Sequence, residues 1–196
     1  MFNIDEFKAQ GLVYGGARPT LFQVVVSPPP SLSLDLLSAR KFELTARATS
    51  VPEQNIDQIQ IPYMGRKIKV AGDRTYADWR VTIMNDEDFG VRSMFEKWSN
   101  ALNRAVSNTR MATGSGSAEA YKADMTVLQF SKEGEIIRGY QLVGAWPQLV
   151  ESMELDWDST NQIQNFNVTL AYDYWIPTVE NSSKIAGGIN QFAGNI

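Results

Sequence analysis

Residues 162–175 read Gln-Ile-Gln-Asn-Phe-Asn-Val-Thr-Leu-Ala-Tyr-Asp-Tyr-Trp, a stretch in which apolar and polar side chains alternate. The side chains that fall on one side of this stretch are Phe166, Val168, Leu170, Tyr172 and Tyr174. Alternation with a period of two residues is typical of a β-strand with one buried face. The length of the run predicts a long strand, and it favours a mainly β protein.

Similar runs occur along most of the chain, nine in all with the one above, and they predict about eight strands. They span residues 20–27, 40–50, 59–63, 66–71, 75–84, 123–131, 135–144, 149–158 and 162–175. Most connections between them are too short for a helical crossover, so the sheet is expected to be antiparallel. A sheet of this size usually closes into a barrel or splits into a sandwich, because both arrangements protect its edges.

One segment has a helical period instead. Its apolar residues follow the i, i+3, i+4, i+7 rule and are Val91, Met94, Phe95, Trp98 and Leu102. They predict a single flanking amphipathic helix over residues 88–106. Residues 31–39 fit either a short helix or an ordered loop. We expect three regions: an N-terminal arm (1–18), a β-domain (19–176) and a C-terminal tail (177–196).

The composition limits the chemistry available to the 196-residue chain, which contains no histidine and no cysteine. Disulfide, thiolate and histidine-based catalysis are therefore excluded. The net charge of −4 provides no broad basic face for double-stranded nucleic acid. The first residues lack the pattern of a secretory signal, and no membrane anchor is expected, so a protein made in a cytoplasm is the default expectation.

The most suggestive acidic cluster contains Glu151, Glu154, Asp156 and Asp158. Its last three members share one face of the strand predicted over 149–158. Such a face can hold a catalytic carboxylate pair or a cation, or it can simply be solvated and resist edge aggregation. No partner motif accompanies the cluster, so the solvated face is favoured. We predict no catalytic, metal or cofactor-binding residue.

Several strings resemble the tail tube protein of contractile-tailed bacteriophages. They are Ala17-Arg-Pro-Thr-Leu-Phe-Gln-Val24, Arg66-Lys-Ile-Lys-Val-Ala-Gly-Asp-Arg-Thr-Tyr76, Asp78-Trp79, Met84-Asn-Asp-Glu87, Gly144-Ala-Trp-Pro147, Leu155-Asp-Trp-Asp158, Ile163-Gln-Asn-Phe166 and Ala171-Tyr-Asp-Tyr-Trp175. The resemblance covers most of residues 17–175, and its longer strings are specific.

The resemblance implies a β-barrel or sandwich with one flanking helix, similar to the hemolysin-coregulated tube protein of type VI secretion. It further implies a structural, non-enzymatic subunit whose hexameric rings stack into a hollow tube inside a contractile sheath. Sheath, baseplate and tail-terminator proteins are the implied partners, and viral DNA passes through the lumen. The implied location is the virion tail, assembled in the cytoplasm of the host bacterium.

Stacking of rings requires a segment that crosses from one ring to the next, and residues 51–72 are our prediction for it. Their apolar content exceeds what an exposed hairpin usually carries. The predicted contact residues are Ile56, Ile59, Ile61, Arg66, Lys67, Lys69 and Arg74. The alternative interpretation is that this hairpin belongs to the barrel itself.

The lumen is expected to be acidic, because negative charge repels DNA phosphates and keeps the polymer sliding. Glu151, Glu154 and Asp156 are the predicted lumen-facing residues. The 177–196 tail is expected either to dock on a neighbour or to be disordered. Two other functions stay open: a tube-initiating baseplate protein or secretion-type ring of the same fold, and a carbohydrate-binding or carbohydrate-hydrolysing β-domain.

Overall fold

The structure is a computed structural model that describes residues 3–12, 15–27, 29, 32, 35–110 and 118–180. In chain order its elements are α1 (Ile4–Glu6), a π-helical turn (Phe7–Gly11), β1 (Phe22–Ser27), α2 (Leu36–Thr45), β2 (Ala46–Thr49), β3 (Gln54–Tyr63), β4 (Arg66–Tyr76), β5 (Trp79–Met84), α3 (Gly90–Leu102), a 3-10 turn (Ala118–Ala120), β6 (Ala123–Phe130), β7 (Ile136–Val150), β8 (Asn165–Ala171) and β9 (Tyr174–Glu180).

The long strand β7 belongs to two sheets. Its first part pairs with β6 and β9, and β1 pairs with β6, which completes a four-stranded sheet that we call sheet A. Its second part pairs with β8, which continues through β5 to β2 in sheet B. All these pairings are antiparallel, as predicted. The sheets do not close into a barrel, so the sandwich form of the prediction is the correct one.

The core combines the inner faces of both sheets with α3. The strands contribute alternate residues, including Val24 and Val26 from β1 and Phe166, Val168 and Leu170 from β8. The predicted stripe of α3 is buried from Val91 to Trp98, and Leu102 packs against the core. Sequence periodicity therefore identified the buried faces of these elements correctly.

The helix α3 is shorter than the predicted span of 88–106. It begins after Phe89, which has a positive φ of 53°, and the Asp88 carboxylate accepts the Gly90 N–H at 2.9 Å. It ends at Leu102, the last residue of the apolar stripe. The next residue, Asn103, has an extended backbone, and its side-chain amide donates a hydrogen bond to the Asn108 side chain at 2.6 Å. Val106, four residues after Leu102, is fully exposed, so a further helical turn would bury no apolar side chain.

Residues 40–45 are helical, and the strand predicted over 40–50 was wrong there. The Asp35 carboxylate caps α2 by accepting the Leu37 N–H at 3.1 Å. Ser38, Ala39 and Phe42 are buried at helical spacing, whereas Leu44 is exposed. Only the last part of that prediction, β2, is extended. The fold thus has a second helix packed beside α3 instead of a single flanking helix.

A cationic link joins the two helices. The Lys41 ammonium lies 2.6 Å from an Asp88 carboxylate oxygen and also contacts Asp86. Hydrogen bonds from Lys41, together with backbone N–H donors, lower the pKa of both carboxyls, and the pKa of Lys41 is raised by the same bonds. Carboxyls with a lowered pKa stabilise the fold above their ordinary pKa of about 4, and that stability is lost as the pH falls through the lowered value.

We therefore expect Lys41→Met to flatten the acid dependence of stability. In the parent protein the free energy of unfolding should fall between about pH 4 and pH 2, and the variant should lose part of that slope. Urea unfolding at a series of pH values measures the difference. Arg40→Met is the matched control, because Arg40 is exposed and, among the described residues, pairs only with Glu43 of its own helix. Identical pH profiles for the Lys41 and Arg40 variants would contradict the assignment.

Other strand boundaries also differ from prediction: β3 begins at Gln54 instead of residue 59, and β4 extends to Tyr76 instead of residue 71. Residues 149–158 do not form a strand of their own, because β7 runs without interruption through Pro147 to Val150. The strand predicted over 75–84 is interrupted at residues 77–78. The run over 162–175 is likewise interrupted at residues 172–173, which returns Trp175 to the core and leaves Tyr174 exposed. Both interruptions lie where the chain passes from one sheet to another. The alternation of apolar and polar residues continues across these points, so it does not predict them.

Gly144 within β7 has a φ of +70°, a backbone conformation that favours glycine. A Cβ at this position would overlap the Asp173 carboxylate, which Lys122 binds at 2.6 Å. We expect Gly144→Ala to lower the free energy of unfolding by about 1–3 kcal/mol. Gly134→Ala is the control in urea unfolding, because Gly134 has a φ of +85° but a Cβ added there would meet no atom within 4 Å. Equal losses in both variants would show that the close approach to Asp173 is unimportant.

Candidate assembly surfaces

The strands β3 and β4 form a two-stranded hairpin that pairs with neither sheet A nor sheet B. Met64 and Gly65 form its turn with φ values of 44° and 78°, the conformation that two-residue hairpin loops prefer. Strands of 10 and 11 residues extend for roughly 30 Å. The interpretation that this hairpin belongs to the main sheets was therefore wrong.

The hairpin has one apolar face and one polar face. Ile59 lies opposite Val70, and Ile61 lies opposite Ile68. All four side chains are about half exposed in a single copy of the chain. The other face pairs Gln60 with Lys69 and Pro62 with Lys67. Exposed apolar area of this kind on an ordered element indicates a contact surface.

The structure places every predicted inter-ring residue on this hairpin. Ile56 faces Arg74 across the ladder below a bulge, and the other five residues lie nearer the turn. The side chains concerned are exposed: Ile56, Ile59, Ile61, Arg66, Lys67, Lys69 and Arg74. Their assignment to an inter-ring contact stays a prediction, and they are divided between the two faces of the hairpin.

The base of the hairpin is attached to the sandwich. The carbonyl of Glu53, just before β3, accepts hydrogen bonds from the Trp175 indole at 3.3 Å and the Tyr172 hydroxyl at 3.5 Å. The rings of Tyr76 and Tyr172 lie 6.0 Å apart. Burial, reinforced by the negative groups nearby, raises the pKa of Tyr172 to about 12, so its hydroxyl stays protonated and donates. The hairpin thus projects from a fixed base.

The predicted lumen-facing acids are not equivalent. The Glu151 carboxylate is bound by the Arg80 guanidinium at 2.7 Å and by the Asn167 amide at 2.9 Å, which makes it part of the sandwich surface. Glu154 and Asp156 lie in the exposed segment after β7, where they share no strand face. The Asp156 carboxylate accepts the Asp158 N–H at 3.1 Å and stabilises the local turn.

Two apolar side chains in the same segment were missed as contact residues. We define the segment between β7 and β8, residues 151–164, as the acidic loop. Leu155 is 87% exposed and Trp157 is 100% exposed. The strand predicted over 149–158 put Leu155 and Trp157 on the face opposite the acids, but residues 151–158 form no strand. The sequence feature that could have identified them as exposed is that each of these apolar residues lies between two acidic residues.

Two strand edges of sheet A have no partner among the described residues. β1 pairs only with β6, and β9 pairs only with β7, so they lie at opposite margins of the same sheet. Unpaired strand edges present rows of backbone donors and acceptors to other chains. Pro177 within β9 is consistent with its marginal position, since proline is confined to such strands.

Neither a metal group nor a membrane span is found in the described part of the chain. In that part, no three histidine, cysteine, aspartate or glutamate side chains are placed to hold a metal ion. No helix there is long and apolar enough to cross a membrane. The notable surfaces are therefore the hairpin, the acidic loop and the open margins of sheet A.

A family model described as phage tail tube protein matches residues 17–178. The chain belongs to this family. The tail tube protein gp19 of Enterobacteria phage T4 is 39% identical over 160 residues, which cover 81% of this chain and 90% of that protein. This degree of similarity confirms the resemblance drawn from the quoted strings.

Solved structures share the fold at low sequence identity. A chain of the extracellular contractile injection system PVC, solved as a sheath-tube complex, aligns over 91% of this chain and 99% of its own length, with 16% identity and a TM-score of 0.52. A chain of the anti-feeding prophage baseplate aligns over 83% of this chain and 95% of its own length, with 12% identity and a TM-score of 0.58. These likenesses confirm the fold of this tail tube family member.

Proposed function

We propose that this protein is the repeating structural subunit of a phage tail tube, in which hexameric rings stack inside a contractile sheath. Membership of the tail tube family carries the proposal. Two features support it: among the described residues sheet A is open at both margins, and an ordered apolar hairpin stands outside the sandwich. A chain that worked alone would leave both features exposed to solvent.

The position of the open margins supports ring closure. β1 and β9 are different surfaces at opposite sides of one sheet, so contact between β9 of one copy and β1 of the next is head-to-tail. Head-to-tail contacts close into a ring when the rotation between copies divides the circle. The joined edges satisfy backbone groups that are otherwise left to water.

The hairpin then serves as the contact between rings, through the seven residues named above. The partners in this proposal are the sheath, baseplate and tail-terminator proteins, with viral DNA passing through the lumen without sequence recognition. The protein acts without catalysis and without a cofactor. It is a component of the virion tail and is assembled in the cytoplasm of the host.

Electron microscopy of the purified protein tests the proposal. We expect rings of uniform diameter at low concentration and tubes of the same diameter at higher concentration. Rings that never stack under any condition would favour a tube initiator. Particles that remain single copies would overturn the proposal.

A further inference from the structure

The hairpin and the acidic loop lie at opposite ends of sheet B. Trp79 at the start of β5 pairs with Leu170, and Met84 at its end pairs with Asn165. The hairpin enters the sheet just before Trp79, whereas the acidic loop leads into β8 at Asn165. The two surfaces are therefore separated by the length of the β5–β8 pair, about 20 Å.

The outer half of the hairpin is basic as well as apolar. Residues 59–71 contain Arg66, Lys67 and Lys69 and no acidic residue. Arg66 lies opposite Tyr63 next to the turn, on the same face as Ile61 and Ile68. No ion pair involving these three cations is found among the described residues. Their charges are thus available to a partner.

The acidic loop has the complementary composition. It contains Glu151, Glu154, Asp156 and Asp158 and no basic residue. Glu151 is neutralised by Arg80, which leaves three carboxylates around the exposed side chains of Leu155 and Trp157.

The acidic loop is held in place at several points. The Arg92 guanidinium donates to the Glu151 carbonyl at 3.0 Å. The Gln164 amide donates to the Glu154 carbonyl at 3.4 Å, and the Gln164 carbonyl accepts the Asn85 N–H at 2.8 Å. A surface held in this way loses little conformational freedom when it binds.

We propose that the acidic loop is the receptor for the hairpin of a second copy of this chain, in the adjacent ring. This inference rests on the proposed stacking function and identifies both halves of the stacking contact. The occupant is another copy because the same chain carries both complementary surfaces at opposite ends, so the contact repeats along a stack. Leu155 and Trp157 pack on the apolar face of the incoming hairpin.

The chemistry of the pair accounts for both affinity and register. Tryptophan is enriched among the residues that dominate binding energy, especially when apolar contact is surrounded by polar groups. Here the carboxylates of Glu154 and Asp158 face the two cations beside the hairpin turn, Arg66 and Lys67. Opposite charges favour the contact between hairpin and acidic loop. In a ring stacked upside down, two basic hairpins or two acidic loops would meet, and their like charges would repel. On this assignment the acids of the loop belong to the stacking contact instead of the lumen wall.

Charge reversal in two complementary variants tests the pairing. The first variant is Arg66→Glu with Lys67→Glu, and the second is Glu154→Lys with Asp158→Lys. None of these four side chains makes a hydrogen bond or ion pair within the described structure, so both variants should fold. Asp156 is left unchanged because it stabilises the turn of the loop.

We expect each variant alone to form rings whose critical concentration for stacking rises at least about tenfold. An equimolar mixture of the two should form tubes again, because each hairpin then meets a loop of opposite charge. Electron microscopy and pelleting measure the outcome. The control is Lys97→Glu with Arg104→Glu, two exposed cations in and just after α3, which should stack normally.

The outcomes separate this inference from the proposed function. If both reversed variants form tubes as readily as the parent chain, the pairing is wrong and the tube function stands. Folded rings that do not stack after mixing also overturn the pairing. If the parent chain itself never forms rings or tubes, the proposed function fails first.

Discussion

Tubes are expected to disappear while rings persist when Ile59, Ile61 and Ile68 are all replaced by threonine. Threonine keeps the β-branched shape that favours a strand, but it removes apolar surface from the exposed face of the hairpin. Each side chain is about half exposed in one copy, so its apolar surface is removed from water only when another copy covers it. Lost burial at three positions should raise the critical concentration for stacking by more than about a hundredfold.

The same change should leave the single copy intact. In the described part of the chain, β3 and β4 pair only with each other, so the free energy of unfolding should change by less than about 0.5 kcal/mol. Gln58→Thr with Gln60→Thr is the matched control on the polar face of the same hairpin. Sedimentation and electron microscopy measure the ring and tube populations. Normal tubes from the isoleucine variant would show that this face does not form the inter-ring contact.

Phe95→Ala is expected to cause the largest loss of stability, about 3–5 kcal/mol. Phe95 is fully buried, and its ring meets Phe42 edge-to-face at 5.5 Å and stacks on Trp98 at 6.2 Å. Removing it leaves a cavity between the two helices and the strands beneath them. Urea unfolding, performed at a concentration at which copies do not associate, measures the effect.

Trp157→Ala is the informative comparison for Phe95→Ala. Trp157 is a larger aromatic residue but is fully exposed in one copy, so its removal should change the free energy of unfolding by less than about 0.5 kcal/mol. If Trp157→Ala unfolds as readily as Phe95→Ala, the acidic loop is part of the folded core. If Phe95→Ala is as stable as the parent chain, the core described here is incorrect.

Sequence patterns predicted elements correctly where one local period dominates. Phe166, Val168 and Leu170 alternate inward on β8, and Val91 to Trp98 follow the helical stripe of α3. The sequence alone also shows the absence of histidine and cysteine, which limits the available chemistry. The strings quoted for the resemblance led to the correct family. The division at residues 18 and 176 stays a prediction, and the predicted docking of the tail concerns mainly residues 181–196, outside the described part of the chain.

The failures occurred where two periods fit the same residues. Phe42 and Ala46 are an even number of residues apart, which fits a strand, and also four residues apart, which fits a helix. The sequence alone does not decide between the two for residues 40–45. The contact between Phe42 and Phe95 in the structure shows that the helix is correct. The acidic loop failed for a related reason. Leu155 and Trp157 alternate with acids like a strand face, but no neighbouring strand pairs with them.

The sequence by itself determined the β class, the main helix, the family and the residues of the hairpin, because each of these depends on neighbours a few positions apart or on shared strings. Only the tertiary structure decided that β7 serves two sheets, that the hairpin stands outside both, and that basic and acidic surfaces occupy opposite ends of sheet B. Those facts depend on which distant segments pair. Strand pairing is set by contacts between residues far apart in the chain, which local periodicity does not encode.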